Sequence, residues 1–207
     1  MKRIPRLRTV LMIACLVLAV SPAARAETVV RKTITYFDIG GRSAADLDAE
    51  LSRKGPLTQS TGGRHPGATQ IRFGGDVTYA HSAGRCAIDD ATVTLKTKLI
   101  LPRWKNRRRA NADLGLIWDA LSADIKRHEE RHAEIAKQHA YELERRLKRL
   151  RPEVDCDRLQ DRVSLVTEEV TQAHDRAQMT FDRIESKNFE DRMIRILRYR
   201  AQTRQKP

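Results

Sequence analysis

Aromatic side chains make up only 5% of this 207-residue chain, and they form no motif in which several alternate with basic residues. A stacking platform for nucleic-acid bases needs such alternation, so nucleic acid is not an expected partner despite a formal net charge of +13. Long apolar runs are also missing. The longest, Val10 to Val20, spans 11 residues, against the roughly 20 that cross a bilayer. Cysteine is scarce, with three residues in all.

What precedes and follows that short run gives it a meaning. Lys2, Arg3, Arg6 and Arg8 lie before it, and Ala24-Arg25-Ala26 closes it with small residues, the pattern of a secretory signal peptide over residues 1–26 cleaved after Ala26. Cleavage removes five Lys/Arg and no acid, lowering the formal charge from +13 to +8. A periplasmic or secreted protein follows, one whose residual charge suits an anionic envelope surface and whose partner or peptide substrate carries no recognisable signature. Cys15 leaves with the leader. Cys86 and Cys156 remain in an oxidising compartment, which predicts a disulfide closing a loop of about 70 residues.

The chain after the leader divides by period. "TVVRKTITYFDI" alternates apolar and polar residues and predicts a strand. A short helix is expected next, with Ser43 as N-cap, Asp46 completing a capping box, Leu47 and Leu51 as its apolar face, and Gly55-Pro56 as its stop. "ATQIRFGGDVTYAH", with a break at Gly74-Gly75, and "CAIDDATVTLKTKLILP" predict two more strands. From Asn111 the period becomes about 3.6 and holds to Arg151-Pro152; after the short "RPEVDC", it resumes near Arg158 through Val163, Val170, His174, Phe181 and Ile184. The expected fold is α+β: a small, mostly antiparallel sheet with a short helix, packed beside a long antiparallel helical hairpin. As domains, residues 27–187 form one α+β unit, with 27–110 as its sheet part and 111–187 as the hairpin. Residues 188–207 are expected to be a basic C-terminal tail whose end is frayed and solvated.

Within the first long helix, His128-Glu129-Glu130-Arg131-His132 is an HExxH motif. Histidines four apart project from one face about 6 Å apart along the axis, close enough to share a zinc ion. Glu129 lies about 100° around the helix, outside the ligand set but placed to act as general base. Histidines can also fill a helix seam without any metal. Against that reading, buried imidazole nitrogens each need a partner, and aliphatic residues would pack there at lower cost. His139 lies seven residues beyond His132, about 10 Å along the axis and out of reach of a shared ion, so packing or a hydrogen bond is expected. A hairpin turn near Glu153 sets His128 and His132 opposite a window holding His174, Asp175, Gln178 and Asp182. Either Asp182 or His174 would complete a three-ligand Zn(2+) site with an open position. His65 and His81 read as surface residues. A metzincin site is excluded, because Ile135 stands where its glycine must be.

Taken together, "YFDIGGRSAADLDAEL", Gly55-Pro56, the Cys86 strand, "LPRW" at Leu101 to Trp104, the helix around Trp118, "HEERHAEIA" and Cys156 resemble, in order, the bacterial domain-of-unknown-function family 922. The resemblance implies a secreted zinc-dependent protease, an activity predicted for members of that family. The resemblance covers nearly the whole chain after the leader. It implies a tyrosine-aspartate pair in the last helix, met here as Phe181-Asp182, and so supports Asp182 as ligand or supporting carboxylate. The threonine and His-Gly that follow in the family pattern are replaced by Glu185 and Lys187-Asn188. The expected function is an exported zinc metallopeptidase that hydrolyses peptide bonds through a zinc-activated water, with Glu129 as its base. The alternative is a non-catalytic envelope protein whose hairpin binds a partner or anionic polymer, with the metal structural or absent.

Overall fold

The structure is a computed structural model of the chain and describes residues 25–58 and 62–204. The expected leader lies outside the described residues apart from Arg25 and Ala26, which open the first strand. In chain order the elements are β1 (Arg25–Ile39), α1 (Ala44–Lys54), β2 (Ala68–Ser82), β3 (Arg85–Trp104), α2 (Ala112–Lys148), α3 (Cys156–Lys187) and α4 (Phe189–Arg204), with one 3-10 turn at Arg107–Arg109.

Local chemistry sets the helix ends. At α1, the Ser43 hydroxyl accepts from the Asp46 amide at 3.1 Å while the Asp46 carboxylate accepts from the Ser43 amide at 3.1 Å, the expected capping box. Asn111 caps α2 through the Leu114 amide at 2.8 Å, and Asp155 caps α3 through the Arg158 amide at 2.8 Å.

The sheet corrects the expectation of mostly antiparallel pairing. Its strand order is β1-β3-β2, with β2 antiparallel to β3 and β1 parallel to it, so the sheet is mixed. Ala83 (φ 50°) and Gly84 (φ 72°) form the two-residue left-handed turn that joins β2 to β3. α1 and the loop after it occupy the end of the sheet where β1 stops, so the chain enters β2 on the far side of β3. The expected break at Gly74-Gly75 is absent, and β2 runs through it. A side chain at Gly75 is ruled out, since its Cβ would sit 2.0 Å from the Thr92 carbonyl oxygen.

α2 crosses the sheet on one face. Its small residues Ala136 and Ala140 are fully buried and let the helix approach Val93 and Leu95 of β3, while Leu159, Val166 and Val170 of α3 close the same core. A second cluster joins Ile39, Leu47, Leu51, Trp104 and Trp118 at the α1 end. Cys86 and Cys156 form the expected disulfide, with a Cα–Cα distance of 5.1 Å. Beside it Cys86 and Glu153 exchange two backbone hydrogen bonds of 2.8 and 2.9 Å, so the link between strand and helix junction is doubled.

Residues 189–204 of the expected basic tail are helical, and its last three residues lie outside the described residues. Arg192 on α4 donates to the buried Asp124 of α2 at 2.8 and 3.1 Å, which gives this polar helix an anchor that hydrophobic periodicity does not reveal.

Candidate metal centre

Contacts between α2 and α3 pair Arg146 with Glu169, His132 with Gln178 and His128 with Asp182, so rising positions on one helix meet falling positions on the other. On α3 the polar residues His174, Gln178 and Asp182 recur every four positions and so share one face. That face meets His128 and His132.

His128 Nε2 and His132 Nε2 lie 3.0 Å apart, and Asp182 Oδ1 is 3.3 Å from the first and 3.0 Å from the second. Four ligands around zinc at 2.0 to 2.1 Å stand about 3.3 Å from one another, so the three atoms form nearly one face of such a tetrahedron. Two imidazoles and a carboxylate are also a donor set that zinc takes. His128, His132 and Asp182 therefore fit the ion that the family resemblance implies. The Asp182 side chain is 53% exposed, which leaves the group open to solvent on that side.

Gln178 fixes the protonation of His132. Its amide nitrogen donates to the His132 carbonyl at 3.1 Å and to His174 Nε2 at 2.8 Å, which uses both of its hydrogens. Its oxygen must then accept from His132 Nδ1 at 2.6 Å, so Nδ1 carries the proton and the lone pair of Nε2 is left free beside Asp182 to bind a metal ion. The same logic puts a proton on His174 Nδ1, which donates to Asp175 at 2.9 Å. His174 is thus one step removed from the cluster, buried edge-on against Phe73 and joined to His132 through Gln178. The structure brings together the first of the two expected third ligands and not the second. Residue 178 lies opposite His132, inside the expected window, and Asp182 comes within reach of both histidines.

Electrostatics follow from this packing. Burial works against the Asp182 carboxylate, yet its contacts with His128 and His132 outweigh that and hold it far below the usual carboxylate range. Burial likewise opposes the His132 imidazolium, but Asp182 and Gln178 raise its pKa overall. His174 is lowered by burial, only partly countered by Asp175. Phe181 packs against both cluster imidazoles, with ring centroids 4.9 and 5.1 Å away, and also lines an adjoining cleft with Lys32, Arg127, Arg131 and Glu134.

Glu129 is 5% exposed and faces β2. Thr69 Oγ1 lies 2.8 Å from its Oε2 and 2.9 Å from its carbonyl oxygen, and a Cβ at Gly67 would come within 3.0 Å of Oε1. Burial raises its pKa; the Thr69 hydrogen bond and the charges of His132 and His128 counter part of the rise. Thr69 and Gly67 leave no trace in the motif, since they come from a strand edge 60 residues earlier.

The other singled-out residues lie elsewhere. His139 Nδ1 donates to the Ile135 carbonyl at 2.8 Å, in line with its expected non-ligand role. His81 is exposed and its Nε2 lies 3.2 Å from Cys156 Sγ. With both sulfurs of that group in the disulfide, only its imidazole remains as a donor. Glu185 carries Oε2 3.7 Å from His128 Nδ1 and 3.2 Å from Arg192 Nη2.

Two histidines on one helix and an aspartate on the next, beside a buried glutamate, define an α+β protein with a cluster of the kind that can hold a metal ion. The chain belongs to a family described as bacterial protein of unknown function (DUF922), whose model matches residues 34–189. No curated protein and no solved structure matches it. Among the described residues no helix is long and apolar enough to cross a membrane.

Proposed function

We propose that this chain is an exported zinc metallopeptidase-like protein whose helical hairpin carries the metal on His128, His132 and Asp182. The observation that carries the reading is the convergence of three donor atoms from two helices within 3.3 Å of one another. A bound zinc would supply Lewis-acid polarisation of a peptide carbonyl and activation of a water molecule. The protein's own groups supply the rest. Gln178 holds the His132 tautomer that leaves Nε2 free. Glu129, with a pKa raised by burial, is suited to accept a proton from water and hand it to the leaving amine. The cleft lined by Lys32, Arg127, Arg131, Glu134 and Phe181 adjoins the cluster through Phe181, which packs against both imidazoles. The Cys86–Cys156 disulfide suits the oxidising compartment to which an exported chain is delivered.

Incubation of the zinc-loaded full chain with an unfolded protein substrate tests this, with Glu129→Gln alongside. Cleavage by the native chain and its loss, by about 100-fold or more, in the variant is expected. Cleavage that survives the substitution rejects the mechanism. One zinc per chain with no cleavage favours the non-catalytic envelope reading instead.

A further inference from the structure

The helices α2 and α3 cover one face of the sheet, the face of Thr69, Phe73, Val93, Leu95 and Leu99. Strand alternation sends the intervening residues to the opposite face, and beyond the end capped by α1 no element among the described residues covers it. On that open face the register aligns Arg31 of β1, Lys96 of β3 and Arg72 of β2 in a single row. The next row sets Thr33, Lys98 and Gln70 side by side. All four cations are exposed, and among the described residues none makes an ion pair or side-chain hydrogen bond. Many basic residues elsewhere have acidic partners, such as Arg107 with Asp119 and Lys148 with Glu144.

Like charges directly opposite one another weaken a sheet. Three in one row, with a fourth on the diagonal, is a repulsion that nothing among the described residues relieves. We infer that this open face docks on an anionic phospholipid surface, with Arg31, Arg72, Lys96 and Lys98 against the lipid phosphates.

Shape and composition select that occupant. At the usual strand and residue spacings the four charges occupy a plane of roughly 10 by 7 Å, with no groove to receive a chain. The face carries no exposed aromatic ring for a base to stack on, which disfavours single-stranded nucleic acid. Its apolar members Val29 and Ile100 are half-buried, so nothing inserts into acyl chains and contact is electrostatic. A flat cationic array meets a flat anionic one. Two rows toward the start of β1 stand Glu27 and Asp76, with Asp90 beyond them, so that end is held away from the lipid while the basic rows make contact. The inference does not depend on the metal centre, which lies on the helical side of the sheet.

Co-sedimentation of the full chain with vesicles tests it. Binding to phosphatidylglycerol-rich vesicles, little binding to pure phosphatidylcholine vesicles, and loss at high salt are expected. With about a five-fold contribution per charge, the triple substitution Arg31→Gln, Arg72→Gln, Lys96→Gln weakens binding by about 100-fold. A charge-matched control on the helices, Arg162→Gln, Arg176→Gln, Arg198→Gln, changes it by less than about five-fold. Relief of the repulsive row leaves the sheet-face variant melting at or above the native temperature. Should that variant fail to fold, Lys96→Gln alone is expected to weaken binding about five-fold. Equal losses in the two triple variants, equal binding to both vesicle types, or no effect of Lys96→Gln would overturn the inference.

Discussion

The general-base role proposed for Glu129 requires that it ionise, while its burial opposes ionisation. Because its folded pKa lies above the unfolded value, its burial costs nothing below about pH 4.5, where both states are protonated. As pH rises through the folded value the unfolded chain ionises first and stability is lost. Glu129→Gln keeps a group that can accept from Thr69 and removes that loss, so its melting temperature at pH 7 should equal or exceed the native one, the advantage vanishing below about pH 4.5. A variant less stable than native at pH 7 contradicts this account of the residue. Gln178→Leu makes a second test, since it removes the acceptor that orients His132. Zinc affinity measured by competition with a chelator should fall 10- to 100-fold while the fold is retained; an unchanged affinity would show that His132 needs no such guide. At this scale the sequence revealed what lies within one helix. His128 and His132, one turn apart, could be read directly, and Asp182 through the expected register and the family resemblance. Gln178 sat in the right window, and its spacing of four from both His174 and Asp182 was the available signal for its part. Thr69 and Gly67 were hidden because their meeting with Glu129 depends on how a helix settles on a strand edge.

Among the elements, α1 was readable because cap and apolar period agree there, and α2 and α3 were readable from apolar period, the start of α3 being expected near Arg158 and found at Cys156 after its Asp155 cap. Parallel pairing of β1 with β3 was not, since alternation along a strand reports which face is buried and says nothing about the direction of its neighbour. α4 escaped for a different reason. It buries no residue and is tied down by charge: Arg192 joins Asp124 of α2 and Glu185 of α3. Arg192→Ala should therefore release α4 selectively, costing about 2 kcal/mol for charge-assisted hydrogen bonds left unmade. Amide exchange over residues 189–204 should rise about 30-fold while the core of α2 and β3 stays protected. Uniform acceleration throughout the chain would mean that Arg192 supports the whole fold and not one helix.

For the molecule as a whole, the two cysteines and the change of period gave the outline: a sheet part and a helical part tied together between β3 and the start of α3. The disulfide closes a separation of 70 residues, which the chain-entropy model values at about 4 kcal/mol. Cys86→Ser with Cys156→Ser should lower the melting temperature by about 10 °C, and a shift of under about 2 °C would assign the joint to the Cys86–Glu153 backbone pair instead. The account turns on a single ion shared between the two long helices. Metal analysis of the purified full chain after equilibration with zinc and removal of loose ions, run beside Asp182→Ala, tests this most directly. One zinc per native chain, and at least a 10-fold weaker hold in the variant, is the predicted result. A native chain that retains no zinc, or a variant that retains it as tightly, would contradict it.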